Sequence, residues 1–67
     1  MNIYIQLQIA YCNYAALMGN LDMLVRLREI YGYHWDASAI EWAYIGQNEE
    51  VVQYVAKKQG LTHVYGL

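Results

Sequence analysis

Apolar residues fall along this chain in four groups, each closed by a glycine. In the first group Ile5, Ile9, Tyr11, Ala15 and Met18 recur at helical intervals, and Ala10 to Met18 is rich in good helix formers. The pattern predicts a helix from about Tyr4 to Met18. Ile3, Ile5, Leu7 and Ile9 also alternate with Tyr4, Gln6 and Gln8, the period of a strand, so a strand over residues 1–9 stays open as an alternative. Gly19 ends the first group, because glycine accepts the left-handed conformation common at helix C-termini. Asn20 is placed to cap a second helix, and Asp22 lies in its first turn near the positive end of the dipole. Leu24, Leu27 and Tyr31 form its apolar line, widened by Met23 and Ile30, and Gly32 stops it. Tyr33-His34-Trp35 makes a short aromatic connection, after which Asp36 caps a third helix from about Ala37 to Ile45. Gly46 ends that helix as Gly19 ends the first, which predicts a left-handed backbone at both. Asn48 or Gln47 caps a fourth helix, with Glu49 and Glu50 in its first turn. Val51, Val52 and Val55 form its inner face, Lys57 and Lys58 complement its C-terminal dipole, and Gly60 terminates it.

The groups come in pairs. Ala16-x-x-Gly19 and Ala43-x-x-Gly46 are the same phrase 27 positions apart, each followed by acid and an apolar run. Gly32 and Gly60 are 28 apart, so the second unit carries one extra residue. The division is one domain over 1–67: a first unit over about 4–32, a connection over 33–36, a second unit over about 37–60 and a tail over 61–67. Alanine at a helix contact lets backbones approach closely. The expected fold is therefore all-α, two stacked antiparallel helical hairpins.

Composition narrows the function. At 67 residues the chain buries only about 60% of its unfolded surface, so its stability is marginal. Cys12 is the single cysteine, which excludes an internal disulfide and fits a reducing compartment. Net charge is −2 and there is no basic stripe to neutralise phosphates, so nucleic acid is not an expected partner. No charge precedes Asp22, yet Gln6, Gln8 and Asn13 interrupt the apolar stretch, and it lacks the basic start of a signal peptide. A core element of a cytoplasmic protein is expected instead of a membrane segment. Eight tyrosines and no phenylalanine suit half-buried and interface positions, where a ring packs and its hydroxyl stays wet.

The stretch Ala15-Ala16-Leu17-Met18-Gly19-Asn20-Leu21-Asp22-Met23-Leu24 resembles the ankyrin phrase of alanines, glycine, a polar residue, leucine and acid before an aliphatic helix. Gly32-Tyr33-His34-Trp35-Asp36, leading into Ala43-Tyr44-Ile45-Gly46, is similar to a shortened ankyrin-like repeat of large DNA viruses and amoebae. The resemblance covers about Ala15 to Gly60. The chain departs from the common ankyrin unit, which runs to about 33 residues, in having no Thr-Pro-Leu-His opening and no room for a β-turn finger. With its tyrosine-rich, proline-free wording it is also similar to the multigene-family proteins of African swine fever virus. That resemblance implies a viral factor in the host cytosol, acting in cell tropism or in replication in macrophages.

Catalytic chemistry finds no constellation. Cys12, His34, His63 and Asp36 lack the close ligand spacing of a structural zinc site, and a Cys/His nucleophile pair would need a pocket and an orienting third group. Glu49 and Glu50 point about 100° apart on a helix and cap it instead of sharing a site. No enzyme, cofactor, metal or small-molecule substrate is expected. The expected function is a protein–protein interaction module whose partner is a host protein or a second copy. The alternative is a truncated or degenerate repeat protein with a mainly structural or self-association role. Tyr33, His34 and Trp35 are the candidate partner-binding residues, with Trp35 read first as packing across the junction and Tyr33 and His34 as facing outward. Ala16, Gly19, Asp22, Gly32, Asp36, Ala43, Gly46, Glu49 and Gly60 are the structural repeat positions.

Overall fold

The computed structural model describes residues 3–59. Gly60 and the tail over 61–67, with His63, lie outside the described residues. Four helices follow one another: α1 (Ile3–Leu17), α2 (Leu21–Glu29), α3 (Ser38–Ile45) and α4 (Glu49–Gln59). There is no strand among the described residues. The alternation in Ile3 to Ile9 is overruled from Ile3 onward, because α1 gains a tertiary contact as a helix. Its Cys12, Ala15 and Ala16 are fully buried, on one face, where α2 and α3 pack.

A Schellman-type turn closes α1. The Gly19 N–H donates to Ala16 O at 3.1 Å, the Asn20 N–H donates to Ala15 O at 3.0 Å, and Gly19 sits at φ +69°. Asn20 then caps α2, its Oδ1 accepting from the Met23 N–H at 3.1 Å. Asp22 lies in that turn and pairs with Arg26 on the surface at 3.2 Å. The expected apolar line of α2 holds only in part. Leu24 is fully buried and Leu27 packs against the core, but α2 ends at Glu29, before the line is complete. The Ile30 and Tyr31 N–H groups both donate to Arg26 O, and the two side chains are left 70% and 67% exposed. Gly32 follows at φ +67°, so it belongs to the exit from the helix and does not itself stop it.

Asp36 performs the capping expected of it, two residues ahead of α3. Its Oδ1 accepts from the Ser38 N–H at 2.9 Å and from the Ser38 hydroxyl, and its carbonyl accepts from Ala39 at 3.1 Å. The core is formed by α1, α3 and α4 with Leu24 of α2. Cys12, Ala15, Ala16, Ala39, Ala43 and Ala56 make up most of it, so the helices meet over small residues and their backbones come close. The larger buried side chains, Leu24, Ile40, Val51 and Val55, each contribute about 1.5–3 kcal/mol of burial.

Gly46 departs from expectation. Its φ is −72°, an ordinary helical value, and the left-handed residue of the second turn is Gln47, at φ +57°. Glycine is needed at 46 for proximity instead. A β-carbon there would overlap the Leu17 carbonyl oxygen and lie 3.0 Å from its carbon and 3.2 Å from Ala16 O. The two turns thus touch each other. A β-carbon on Gly19 would likewise come within 2.8 Å of Asn48 Nδ2.

The period is also corrected. Met18 bonds Tyr14 O at 2.9 Å as Gly46 bonds Trp42 O at 2.9 Å, and Gly19 bonds Ala16 O at 3.1 Å as Gln47 bonds Tyr44 O at 3.0 Å. Asn48 caps α4 through the Val51 N–H at 3.0 Å, as Asn20 caps α2. Each of these correspondences is 28 residues long. Ala43 therefore matches Ala15, not Ala16, and Gly19 matches Gln47, not Gly46. The identical Ala-x-x-Gly phrases stand one residue out of structural step.

Candidate functional site

Two regions of the surface are built of residues that suit recognition. The first is the aromatic connection. Trp35 packs half-buried against the core, edge-on to Tyr54 of α4 with ring centres 6.1 Å apart, and the Arg28 guanidinium of α2 lies 5.2 Å from its ring centre. Tyr54 donates its hydroxyl to Glu29 Oε2 at 2.6 Å, and Lys58 reaches the same oxygen at 3.1 Å. The group ties α2 to α4 through side chains of opposite charge and an edge-to-face ring pair. Burial, then the Glu29 carboxylate, push the Tyr54 phenol well above its ordinary value. The Tyr54 hydroxyl and Lys58 hold the Glu29 carboxyl below its own ordinary value. A carboxyl lowered in the folded state stabilises above the unfolded pKa and loses that contribution as pH falls through the folded one. Glu29 is at the surface, so screening keeps the effect small.

Tyr33 does not face outward as expected. It is half-buried against the core, 6.3 Å from the Tyr11 ring and 6.1 Å from the Tyr31 ring, and its carbonyl accepts from Arg28 at 2.9 Å. His34 is exposed, with its backbone N–H donating to Gln8 Oε1 of α1 at 2.9 Å. Gln59 of α4 donates to Asp36 O at 2.8 Å. The connection is therefore held by α1, α2 and α4 together. Of its three candidates only His34 is exposed.

The second region is the outer face of α1. Ile3, Leu7, Ala10, Tyr14 and Leu17 recur at alternating intervals of four and three along the side of α1 opposite Cys12, Ala15 and Ala16. Ile3, Leu7 and Tyr14 are 65%, 51% and 58% exposed. Two shallow grooves meet on this face. One of about 280 Å³ is lined by Ala10, Asn13, Tyr14, Leu17 and Trp42 of α3, and another of about 230 Å³ by Leu7, Ala10, Tyr11 and Tyr14. The sequence signal for this surface was the absence of charge before Asp22, a signal that reads equally well as an ordinary core helix. All four cations of the chain lie elsewhere, Arg26 and Arg28 on α2 and Lys57 and Lys58 on α4.

The chemistry that remains is sparse. Cys12 is fully buried, and burial raises its thiol pKa against the opposing pull of Arg28, which disfavours the thiolate a nucleophile needs. Among the described residues no three His, Cys, Asp or Glu side chains gather where an ion would bind, and no helix is long and apolar enough to cross a membrane. Glu49 accepts from Gln53 at 3.3 Å within its own helix. No protein-family model matches the chain, and no curated protein or solved structure is significantly similar to it.

Proposed function

We propose that the chain is a non-enzymatic protein–protein interaction module in which α1–α2 and α3–α4 act as two stacked, short ankyrin-like hairpins. The observation that carries the reading is the outer face of α1, apolar and uncharged over fifteen residues while the opposite face of the same helix is already buried. A helix with apolar residues on opposite faces and no charge on either suits an interior. Here one side of it meets solvent. Repeat stacks bury such faces against neighbours, and roughly three units are usually required. The 28-residue correspondence of turns and caps supports the repeat reading independently. On the resemblance to viral ankyrin-like proteins, the partner would be a host protein and the outcome an effect on host cells.

The test separates a recognition surface from a part of the fold. A variant with Leu7→Gln, Tyr14→Gln and Met18→Gln should keep the helical circular dichroism of the native chain and lose its binding of an environment-sensitive apolar dye. Loss of helical signal in that variant would show that the face belongs to the fold and would overturn the reading.

A further inference from the structure

Resting on the interaction reading, we propose that the occupant of this face is a second copy of the same chain, with α1 laid antiparallel on its partner's α1 about a two-fold axis near Ala10. Three observations choose this occupant. The first is charge. Between Ile3 and Leu17 there is no charged residue, so a charged partner surface would lose its hydration here and gain no counter-charge. The partner's α1 brings a surface as neutral as itself, whereas α2 and α4 carry Asp22, Arg26, Glu49, Glu50 and both lysines.

The second is order. Ile3, Leu7, Ala10, Tyr11, Tyr14 and Met18 are all exposed at helical spacing, and their intervals of four, three, one, three and four read alike in both directions from the point between Ala10 and Tyr11. Under a two-fold axis between Ala10 and Tyr11, Ile3 meets the other copy's Met18, Leu7 meets its Tyr14 and Ala10 meets its Tyr11. Self-complementarity of this kind is what an isologous contact demands. Ala10, the smallest residue of the seam, sits where the two backbones come closest. With Tyr14 it lines both grooves, which leave space on either side of the axis for the other copy's side chains.

The third is extent. Tyr11 and Tyr14 are each 58% exposed, and an aromatic side chain buries about 150–250 Å² when covered. With Ile3, Leu7 and Met18 the face offers several hundred Å² per copy, the order of the ~800 Å² per partner that stable complexes bury.

The test is sedimentation velocity of the whole chain from low to high micromolar concentration, with Leu7→Glu and Tyr14→Lys run alone and mixed. The native chain should dimerise as concentration rises. Each variant alone should stay monomeric with its helical signal intact. The equimolar mixture should regain a heterodimer, because Glu at 7 then faces Lys at 14. A folded native chain that stays monomeric throughout and binds the apolar dye overturns self-docking but leaves the wider interaction reading standing. A dimer that Leu7→Glu does not weaken places the interface elsewhere and overturns the proposal. Should both charged variants unfold, Ala10→Cys with a short bis-maleimide decides the matter. Crosslinked dimer forming at Ala10→Cys but not at Gln53→Cys supports the axis, and equal crosslinking at both overturns it. Cys12 is fully buried and does not compete for the reagent.

Discussion

α1 and α2 leave the same turn and pack on the same core, yet they meet solvent in opposite ways. α2 buries Leu24 and turns Asp22 and Arg26 outward, joined in a surface pair at 3.2 Å. It is a complete surface helix, apolar where it is covered and charged where it is wet. α1 buries Cys12, Ala15 and Ala16 on one side and shows Ile3, Leu7 and Tyr14 on the other, with no charge on either. The contrast is one of role and not of amino-acid supply, since α4 repeats the α2 pattern with Glu49, Glu50, Lys57 and Lys58 around its buried valines. A chain able to build two amphipathic helices carries a third that has no charge on any side and large apolar residues on its open one. Such a helix is explained by a second contact.

The comparison can be broken at its covered face or its open one. Gly46→Val should do the most damage, because its side chain would be driven into the Leu17 backbone where α3 meets the end of α1. The expected cost is about 3 kcal/mol, enough to abolish a cooperative melt in so small a domain. Leu24→Ala removes the one fully buried anchor of α2, and chemical denaturation should report a loss of about 2–4 kcal/mol. A pair of turn variants should move in opposite directions. Gly19→Ala places a side chain at φ +69° and should cost about 1–2 kcal/mol, whereas Gln47→Gly relieves a side chain at φ +57° and should raise the melting temperature by a contribution under about 1 kcal/mol. Equal effects of the same sign would undo the 28-residue correspondence. Leu7→Gln on the open face of α1 should change monomer stability by no more than about 0.5 kcal/mol, measured by denaturant titration under dilute conditions.

Much of the fold was legible because its signals are local. Asn20 and Asp36 sit where capping chemistry demands a short polar side chain, and each makes the expected bond. Val51, Val52 and Val55 follow a helical spacing and are buried. The errors arose where the deciding contact is remote in sequence. Gly46 and Gly19 look alike in the chain, but one is glycine for its backbone angle and the other because Leu17 lies against it. Nothing between Ala43 and Asn48 reports that distance. The shared phrase repeats at 27 residues, whereas the capping residues Asn20 and Asn48 stand 28 apart, the true structural step. Tyr31 and Ile30 continue the spacing of Leu24 and Leu27, but α2 ends before it reaches them. The candidate site was less legible still. Tyr33 and Trp35 are committed to Arg28, Tyr54 and the core, contacts made by three elements at once. The face of α1 read as core because an apolar helix announces burial without saying how many sides are already covered.

The most direct test of the account is the thermal melt of the native chain at two protein concentrations about a hundredfold apart, since association of the folded state alone makes the melting temperature depend on concentration. The account predicts that the melting temperature rises with concentration for the native chain and stays fixed for Leu7→Glu. A cooperative melt at the same temperature at both concentrations would contradict it.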